Sequence, residues 1–370
     1  MPLRLLTAGE SHGPALVGIL EGMPAGLRIV PESIQCELVR RKLGCGRSPR
    51  QGIEADRVEI VSGVRRGRTL GSPIAVRIPN EDHGGGGRPA LTVPRPGHAD
   101  LAGARKYGFA DLRDVMERAS ARETAARTAL GAVAKIFLVE CGVAVASRVI
   151  RVGSEADLSA RPGPVRRLNA RADVSPVRAT ESTAERRMVR AIERAGRAGD
   201  TLGGVFEVWA EGLPPGLGSY VHWDRRLDGR LAGALMSLNG IKAVAVGLGF
   251  EAAALPGSRV LDPYYWKAGR AAYRSNRSGG IDGGVTTGEP LRLSAAMKPI
   301  PTLLRPLPSV DLRTGRAAPA PVLRSDVCAV PAAAVISEAL VALVLAEALL
   351  EKTGGDSMRE ILPRLRSLRK

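Results

Sequence analysis

Two histidines lie in short segments framed by glycine and proline. His12 lies in the sequence GESHGP at residues 9–14, and His98 lies in RPGHAD at residues 95–100. Glycine and proline do not favour a helix at these places, so both segments predict turns that present polar side chains. Because histidine titrates near neutral pH, both side chains are candidates for proton transfer. The residues alone leave a purely structural role open for each histidine.

A candidate anion site follows about twenty residues after His98. The sequence RASARET at residues 118–124 precedes the apolar run 125–139, which predicts a buried helix. Ser120 and Glu123 have the Ser-x-x-Glu spacing of a capping box, so the helix is expected to begin near Ser120. Backbone N–H groups and arginines at a helix start favour an anion such as phosphate. The alternative is a solvated turn before an ordinary core helix.

Two arginines, Arg41 and Arg47, are candidates for a clamp on an anionic ligand. A helix is predicted over residues 31–42, because proline and an acidic residue suit its first turn and basic residues suit its last. The helix dipole alone explains Arg41, but it does not explain Arg47 on the glycine-flanked loop 44–47. A phosphate or a carboxylate would explain both, since guanidinium groups bind such anions through two parallel hydrogen bonds.

Several later segments have the composition of a ligand-binding surface. Asn239 and Gly240 are expected to end a helix in the left-handed conformation. The glycine-rich stretch 275–288 would let the backbone approach a flat or phosphorylated ligand, and a mobile surface loop is the simpler alternative. The sequences KPIPT at 298–302 and RSD at 324–326 are two further basic segments.

The composition predicts a folded protein with anionic ligands. The chain has 370 residues, 44% of them hydrophobic, and a formal net charge of +17. A disordered or fibrous class is excluded by the hydrophobic content. Nucleic acid is not the expected partner, because aromatic residues make up only 3% and the arginines are spread over the whole length. A small polyanionic substrate fits the charge equally well.

Cysteine spacing and hydropathy predict a soluble, cytoplasmic protein. The four cysteines lie far apart without a Cys-x-x-Cys pair, which argues against a zinc site or a disulfide framework and suits a reducing compartment. The N-terminal residues lack the apolar core of a signal peptide. The most apolar segment, 332–350, contains Glu338 and Glu347, so we expect a buried helix and no membrane partner.

The pattern of hydrophobic residues predicts one α+β domain over residues 1–370. Predicted strands cover residues 3–7, 16–21, 58–64, 74–78, 143–152, 205–210 and 241–250. Predicted helices cover 31–42, 125–139, 183–198, a segment capped by Asp224 that runs to 238, 332–352, and a short tail helix capped by Asp356. The polar, Pro/Arg-rich stretch at about 154–185 predicts an exposed excursion or lid. Strands around long apolar helices indicate a layered sheet–helix core.

Taken together, these motifs resemble the chorismate synthase family over about residues 3–358. The resemblance is based on GESHGP, RR with GCGR at 40–47, RPGHAD, RASARET, RSN at 274–276 and RSD at 324–326, which occur in the family's order. Ala119 stands where serine is commoner, and the loop between Asn80 and Arg95 is shorter than in many members. The resemblance implies a β-α-β sandwich of antiparallel sheets around a helical layer, and a homotetramer.

The resemblance also implies a reaction and the residues that perform it. 5-Enolpyruvylshikimate 3-phosphate would lose phosphate and a ring proton in a 1,4-elimination that gives chorismate, with reduced FMN but without net redox change. His12 would donate a proton or hydrogen bond to the leaving phosphate, with Ser11 beside it. His98 would supply a proton or charge to the reduced flavin. Asp326 is a candidate for proton relay at flavin N5, and a salt bridge to an arginine is the alternative. Arg41 and Arg47 would bind either the substrate or NADPH, a possible source of reducing equivalents.

The FMN positions implied by the resemblance are spread over five segments. They are Arg118, Ala119, Ser120, Asn239, Gly240, Gly283, Lys298, Pro299, Ile300, Pro301, Thr302 and Arg324. Two other classes of function remain open, a non-enzymatic protein that binds nucleic acid or a phosphate ligand, and a flavin oxidoreductase with net electron transfer. No Gly-x-Gly-x-x-Gly follows a predicted strand, so the sequence does not support a Rossmann-type nicotinamide site.

Overall fold

The computed structural model describes residues 3–48, 50–84, 89–157, 159, 163–323 and 325–368. The α-helices are α1 (Pro31–Lys42), α2 (Arg50–Ile53), α3 (Asp100–Tyr107), α4 (Arg113–Ala119), α5 (Thr124–Glu140), α6 (Leu168–Ala172), α7 (Ser182–Arg197), α8 (Leu227–Met236), α9 (Gly257–Val260), α10 (Val330–Thr353) and α11 (Met358–Leu368). The strands are β1 (Arg4–Ala8), β2 (Ala15–Glu21), β3 (Glu59–Ser62), β4 (Val64–Arg65), β5 (Arg68–Thr69), β6 (Ile74–Pro79), β7 (Ala144–Val152), β8 (Glu155–Ala156), β9 (Gly204–Glu211), β10 (Ile241–Val246), β11 (Tyr264–Lys267), β12 (Arg270–Tyr273), β13 (Ile281–Asp282), β14 (Val285–Thr286), β15 (Leu291–Met297), β16 (Pro308–Val310) and β17 (Ala317–Pro319).

The first large sheet is antiparallel, with the strand order β1-β2-β6-β3. Successive side chains of a strand point to opposite faces, and β2 follows this rule, with Leu16 and Leu20 buried and Val17 and Ile19 exposed. The buried face lies against α5, where a side chain at Gly18 would come within 2.8 Å of Leu130. The sheet therefore rests directly on this helix and leaves its outer face uncovered.

The second large sheet is also antiparallel, with the strand order β10-β15-β9-β7-β8. Its central strands supply buried side chains such as Val149, Phe206 and Leu293. β7 and β9 contact α10, as do α5 and α8. The two sheets thus lie on opposite sides of a shared layer of helices.

The helical layer explains the apolar character of α5 and α10. The two helices pack so closely at Gly131 that a side chain there would overlap Ala339. α10 is long and apolar enough to cross a membrane, yet 83% of its most apolar 18-residue window is buried inside the fold. A helix that is hydrophobic on all sides is expected in a core of this kind. The predicted α+β class and β-α-β sandwich are therefore confirmed.

One carboxylate, Glu338, lies fully buried in this helical layer. It accepts hydrogen bonds from Arg40, Lys135, Ser147, Asn169 and Arg178 at 2.6–3.2 Å. Burial alone would raise the pKa of Glu338, but the surrounding cations, Arg40 foremost, hold it well below its usual value. The cluster joins α1, α5, β7 and α10 at the centre of the molecule.

The predicted long helices and strands are confirmed within a few residues, whereas three local predictions are wrong. In the stretch 154–185, Val165 and Leu168 are buried against Trp209, because short helices turn its few apolar side chains inward. Asp224 lies in a 3-10 turn, and α8 begins only at Leu227. The tail helix begins at Met358, and the carboxylate of Glu360, in place of Asp356, caps it by accepting from the backbone N of Ser357 at 3.0 Å and from its hydroxyl at 2.9 Å.

Candidate functional site

The turn between β1 and β2 contains His12. Gly9 opens it with a φ of +104°, and a side chain there would overlap the backbone across the turn, so only glycine fits. Asn80, at the end of β6, donates from Nδ2 to the carbonyl oxygens of Glu10 at 3.1 Å and Gly13 at 2.7 Å. The neighbouring strand therefore fixes the conformation of the GESHGP segment.

Glu117, in α4, binds His12 at two points. The ring Nδ1 of His12 donates to Oε1 of Glu117 at 2.8 Å, and the backbone N of His12 donates to Oε2 at 2.8 Å. The backbone N of Ser11 donates to the carbonyl oxygen of Glu117 at 3.0 Å. The second ring nitrogen of His12, Nε2, lies 3.9 Å from Asp82 Oδ2. The helix thus determines which edge of the imidazole ring faces away from it.

The RASARET segment contacts the same turn. Arg118 donates to the carbonyl oxygens of Gly9 at 3.1 Å and Thr7 at 2.9 Å. The hydroxyl of Ser120 donates to that of Ser11 at 3.2 Å. The structure therefore brings two segments together that are about a hundred residues apart in the sequence.

Ser120 caps a short 3-10 turn instead of α5 itself. Its Oγ accepts a hydrogen bond from the backbone N of Arg122 at 3.2 Å, and α5 begins at Thr124. Glu123 binds Arg127 instead of reaching back to Ser120. The predicted capping box is therefore only half formed, although the helix starts near the expected place.

A buried cluster of arginines and carboxylates lies beside the His12 turn. Asp56 binds Arg41 at 2.7 Å and also pairs with Arg122, whose Nη2 lies 3.0 Å from Glu54. Arg122 also donates from Nε to Asn80 at 2.9 Å, which links this cluster to the turn. Burial alone would raise the pKa of Asp56, but Arg41 and Arg122 hold it below its usual value.

Arg47 extends the cluster from the glycine-flanked loop. Its Nη1 lies 2.6 Å from Asp326 Oδ2, and the backbone N of Ser48 donates to Asp326 Oδ1 at 2.6 Å. Burial lowers the pKa of Arg47, with Asp326 opposing the shift and Arg41 adding to it. In the described part of the chain, the Nε groups of Arg41 and Arg47 are buried without a hydrogen-bond partner. A buried donor without a partner calls for an explanation, and a bound anion is one, although Nε of Arg178 in the Glu338 cluster is in the same situation.

His98 is bound to a second carboxylate. Its Nδ1 donates to Oδ1 of the fully buried Asp100 at 2.5 Å. Arg95 donates from Nε to the other oxygen of Asp100 at 2.8 Å, and its Nη2 lies 3.0 Å from Nδ1 of His98. Burial alone would raise the pKa of Asp100, but His98 and Arg95 hold it well below its usual value.

The KPIPT segment packs against the segment that contains His98. Lys298 donates from Nζ to the carbonyl oxygen of Gly97, and Arg95 donates to the hydroxyl of Thr302 at 3.3 Å. Burial lowers the pKa of Lys298, and the nearby Lys242 lowers it further. His98 and KPIPT therefore form one basic wall.

The remaining residues of KPIPT lie on the rim of the second sheet. Ile300 accepts a hydrogen bond at its carbonyl oxygen from Thr201 at 2.8 Å. Pro299 lies against Gly203, where a side chain would come within 2.9 Å of its nitrogen. Pro301 lies beside Gly97, where a Cβ atom would be 3.6 Å from the Cβ of Pro301.

Asn239 and Gly240 join this wall to the RASARET segment. Asn239 donates from Nδ2 to the carbonyl oxygen of Ala119 at 3.0 Å, and the backbone N of Lys298 donates to that of Gly240 at 2.9 Å. Gly240 has the predicted left-handed conformation, with a φ of +83°, but α8 already ends at Met236 with Ser237 as its C-cap, so the prediction that Asn239 and Gly240 end the helix is wrong. Three of the five segments predicted for FMN are thus in contact through described residues.

One predicted FMN position, Gly283, lies apart from these three segments. Gly283 lies in the β13–β14 hairpin, where the neighbouring Gly284 accepts a hydrogen bond from Leu227 at the start of α8. Asn239 follows the other end of α8, roughly 15 Å away along a ten-residue helix. Arg324 lies outside the described residues. Both assignments stay predictions.

Glu117, Asp56 and Glu54 are not indicated by any motif in the sequence, yet they bind the candidate site residues His12, Arg41 and Arg122. Glu117 directly precedes the RASARET motif, and this adjacency is a clue that was available. Asp56 has a φ of +53°, which no sequence pattern indicates. Their role becomes visible only where distant segments meet.

The comparisons with known proteins agree with one another. The family model described as chorismate synthase matches residues 3–350. A chorismate synthase of Desulforudis audaxviator is 54% identical over 375 residues, which cover 97% of this chain and 95% of that protein. A chorismate synthase of Moorella thermoacetica is 54% identical over 379 residues, covering 99% and 98%. A solved crystal structure of a chorismate synthase is 42% identical, with a TM-score of 0.82, and covers 100% of this chain and 98% of that one.

Proposed function

The chain belongs to the chorismate synthase family of lyases, and we propose that it converts 5-enolpyruvylshikimate 3-phosphate to chorismate by 1,4-elimination of phosphate. The observation on which this rests most is the buried arginine cluster, with its unpartnered Nε groups, beside the His12 turn. The substrate has one phosphate and two carboxylates, so it needs such a cluster to balance its charge.

His12 is the proposed acid for the leaving phosphate. Its Nδ1 is held by Glu117, so Nε2 is the nitrogen left to meet the substrate. Ser11 lies beside it, with its hydroxyl accepting from Ser120 at 3.2 Å. An imidazolium can donate a proton to a departing phosphate near neutral pH.

Arg41 and Arg47 are the proposed clamp on the anionic groups of the substrate. Both side chains are almost fully buried. Arg41 binds Asp56 and Arg47 binds Asp326, each through one N–H group at the edge of its guanidinium. These ion pairs fix the orientation of each guanidinium group before the ligand binds, which reduces the conformational entropy lost on binding. NADPH is the alternative ligand for the same two arginines. Asp326 is a further proposed participant in proton relay.

Reduced FMN is the proposed cofactor, and the residues present fit it. Arg118, Ser120, Asn239 and Lys298 place polar and basic side chains along one connected wall, where each also binds a protein group. When bound, the reduced flavin supplies an electron-rich ring to a reaction that leaves it reduced. His98 lies on this wall and would hold a proton beside the ring.

We also propose a single-domain, cytoplasmic subunit that assembles into a homotetramer. One hydrophobic core connects residues from Leu16 to Leu365, which supports one domain. The outer face of the first sheet exposes Leu6, Val17 and Ile19, and Val61 is 66% exposed. Contiguous apolar patches of this kind are typical of subunit interfaces. Size measurement by light scattering tests the assembly.

An anaerobic assay tests the proposed reaction. The protein, photoreduced FMN and 5-enolpyruvylshikimate 3-phosphate should yield chorismate while the flavin stays reduced. A parallel mixture with oxidised FMN and NADPH measures whether the chain reduces flavin itself. Flavin oxidation in step with product would instead indicate an oxidoreductase, and no product with tight DNA binding would indicate a non-enzymatic protein. For substitutions of His12 in this assay, His222→Gln is the matched control, because His222 is exposed and lies outside the proposed site.

A further inference from the structure

We propose that Glu117 is a positioning residue, which fixes His12 with a proton on Nδ1 and reserves Nε2 for the substrate phosphate. This inference rests on the proposed function, because it assigns a purpose to the orientation of the proposed acid. It adds a residue to which neither the motifs nor the family resemblance gave a role. Glu117 does not touch the reacting atoms, since it acts only through His12.

The geometry points to this role because one carboxylate binds two groups of the same residue. Oε1 of Glu117 lies 2.8 Å from Nδ1 of His12, and Oε2 lies 2.8 Å from the backbone N of His12 and 3.0 Å from Nδ1. An ionised carboxylate only accepts hydrogen bonds, so Nδ1 must bear the proton. The ring is therefore fixed both in its rotation and in its tautomer.

The same geometry explains why glutamate is needed and glutamine would fail. In one orientation, the NH2 group of a glutamine would lie 2.8 Å from Nδ1, and in the other it would lie 2.8 Å from the backbone N. Either orientation brings two donors together. In the first orientation, the repulsion between the two donors disappears if the proton of the neutral ring moves from Nδ1 to Nε2. Nδ1 then accepts a hydrogen bond from the glutamine NH2 group. That ring cannot become an imidazolium without restoring the donor–donor contact.

Much of the frame around Glu117 is held by contacts other than those of its carboxylate. Its carbonyl oxygen accepts the hydrogen bond from Ser11, and the adjacent Arg118 binds the carbonyl oxygens of Gly9 and Thr7. These backbone contacts remain in Glu117→Gln, so the turn should keep its place. The substitution therefore acts on the two contacts to His12, at Nδ1 and at its backbone N.

The chain contains a matched control for the effect on a histidine. His222 Nδ1 lies 2.8 Å from Asp224 Oδ1, the same distance as in the Glu117 pair, but both side chains are well over half exposed. Water can replace a carboxylate at an exposed ring, so Asp224→Asn should leave turnover unchanged. Any general effect of removing a carboxylate beside a histidine would be visible in this variant.

The test measures the tautomer of His12 directly. Solid-state 15N NMR of protein labelled at histidine resolves Nδ1–H from Nε2–H rings at any assembly size, at about pH 9, where neutral imidazole dominates. Only four histidines contribute, and His12→Gln identifies the signals of His12. We expect the Nδ1–H form in the wild type and in Asp224→Asn, and the Nε2–H form in Glu117→Gln. Circular dichroism and FMN titration verify that each variant is folded.

Turnover provides the second measurement. Glu117→Gln should lower kcat by about 10²- to 10⁴-fold, the usual range for the loss of general acid catalysis, with KM little changed. Glu117→Asp should restore part of kcat, since it keeps a carboxylate at a longer distance. An unchanged His12 tautomer in Glu117→Gln would overturn the proposal whatever the activity. If the wild type forms no chorismate but the tautomer shifts as expected, the proposed function fails and the positioning role of Glu117 stands.

Discussion

Glutamine in place of Glu338 removes a negative charge from the centre of the fold while its shape hardly changes. Glu338 is fully buried between α5, α10 and β7, with cations on several sides. The free energy of unfolding should fall, because these cations lose a shared counter-charge in a place that water does not reach.

The size of the effect follows from the partners that remain. Hydrogen bonds to a charged group are worth about 1.5–3 kcal/mol each, and a simple sum over the donors of Glu338 would exceed the stability of most domains. The cations are not left alone, however, since Arg40 and Lys135 also bind Glu37, and Arg178 also binds Asp173. We therefore expect the loss typical of one broken buried pair, about 3–5 kcal/mol.

Urea unfolding at a fixed protein concentration measures this loss. Glu21→Gln is the matched control, because Glu21 pairs with Arg4 at 3.3 Å on the surface, where the side chains are 43% and 70% exposed. Its expected loss is about 1 kcal/mol or less. Equal losses in the two variants, or a loss in Glu338→Gln below about 1 kcal/mol, would refute the reasoning.

The pH dependence gives an independent check on Glu338. Its folded-state pKa lies below the usual value of 4.5, so its stabilising effect is fully present above that pH. The effect is lost as the pH falls through the lower folded-state pKa. The difference in stability between wild type and Glu338→Gln should therefore shrink in acid. A constant difference from neutral to strongly acidic pH would contradict the pKa assignment.

Three further predictions concern the proposed site. His12→Ala should lower the elimination rate by about 10²- to 10⁴-fold with little change in FMN affinity, and a near-native rate at neutral pH would remove its role as acid. Arg41→Ala and Arg47→Ala should each weaken substrate binding by about 1.5–3 kcal/mol in calorimetry, and lysine should rescue only part. Unchanged substrate affinity with loss of NADPH binding would reassign both arginines. His98→Ala should abolish a substrate-induced shift of the reduced-flavin spectrum toward the neutral form in anaerobic stopped flow, whereas a full shift would mean that another residue protonates the flavin.

The sequence predicted the helices and strands in which hydrophobic residues recur at a regular spacing. It also predicted the segments that contain rare residues such as histidine. α1 begins and ends where its proline and basic residues indicate, and the long apolar run at 332–350, interrupted only by Glu338 and Glu347 among charged residues, predicts α10. The stretch 154–185 was misjudged because Val165 and Leu168 are isolated among prolines and arginines, and burial there depends on the distant Trp209. A sparse apolar pattern does not predict which remote side chain will cover it.

For the candidate site, the sequence predicted the reactive side chains better than the groups that orient them. His12 and His98 stand out by their glycine and proline neighbours. Glu117 and Asp56 resemble any surface carboxylate in the sequence, and their function depends on contacts with residues 105 and 15 positions away. Local pattern contains no information about such pairings, which are determined by how the sheets and helices pack.

The position of α10 in the chain has a consequence for how the protein is made. This helix lies between the two sheets, yet it is encoded by residues 330–353, long after the first sheet is complete at residue 79. Its partner helix α5, which covers the first sheet, is complete at residue 140. Ribosomes add roughly 5–20 residues per second, so the apolar face of α5 waits on the order of ten to forty seconds for α10. During synthesis, the nascent chain is therefore an open half-sandwich that chaperones can bind, and its core closes only near the end of translation.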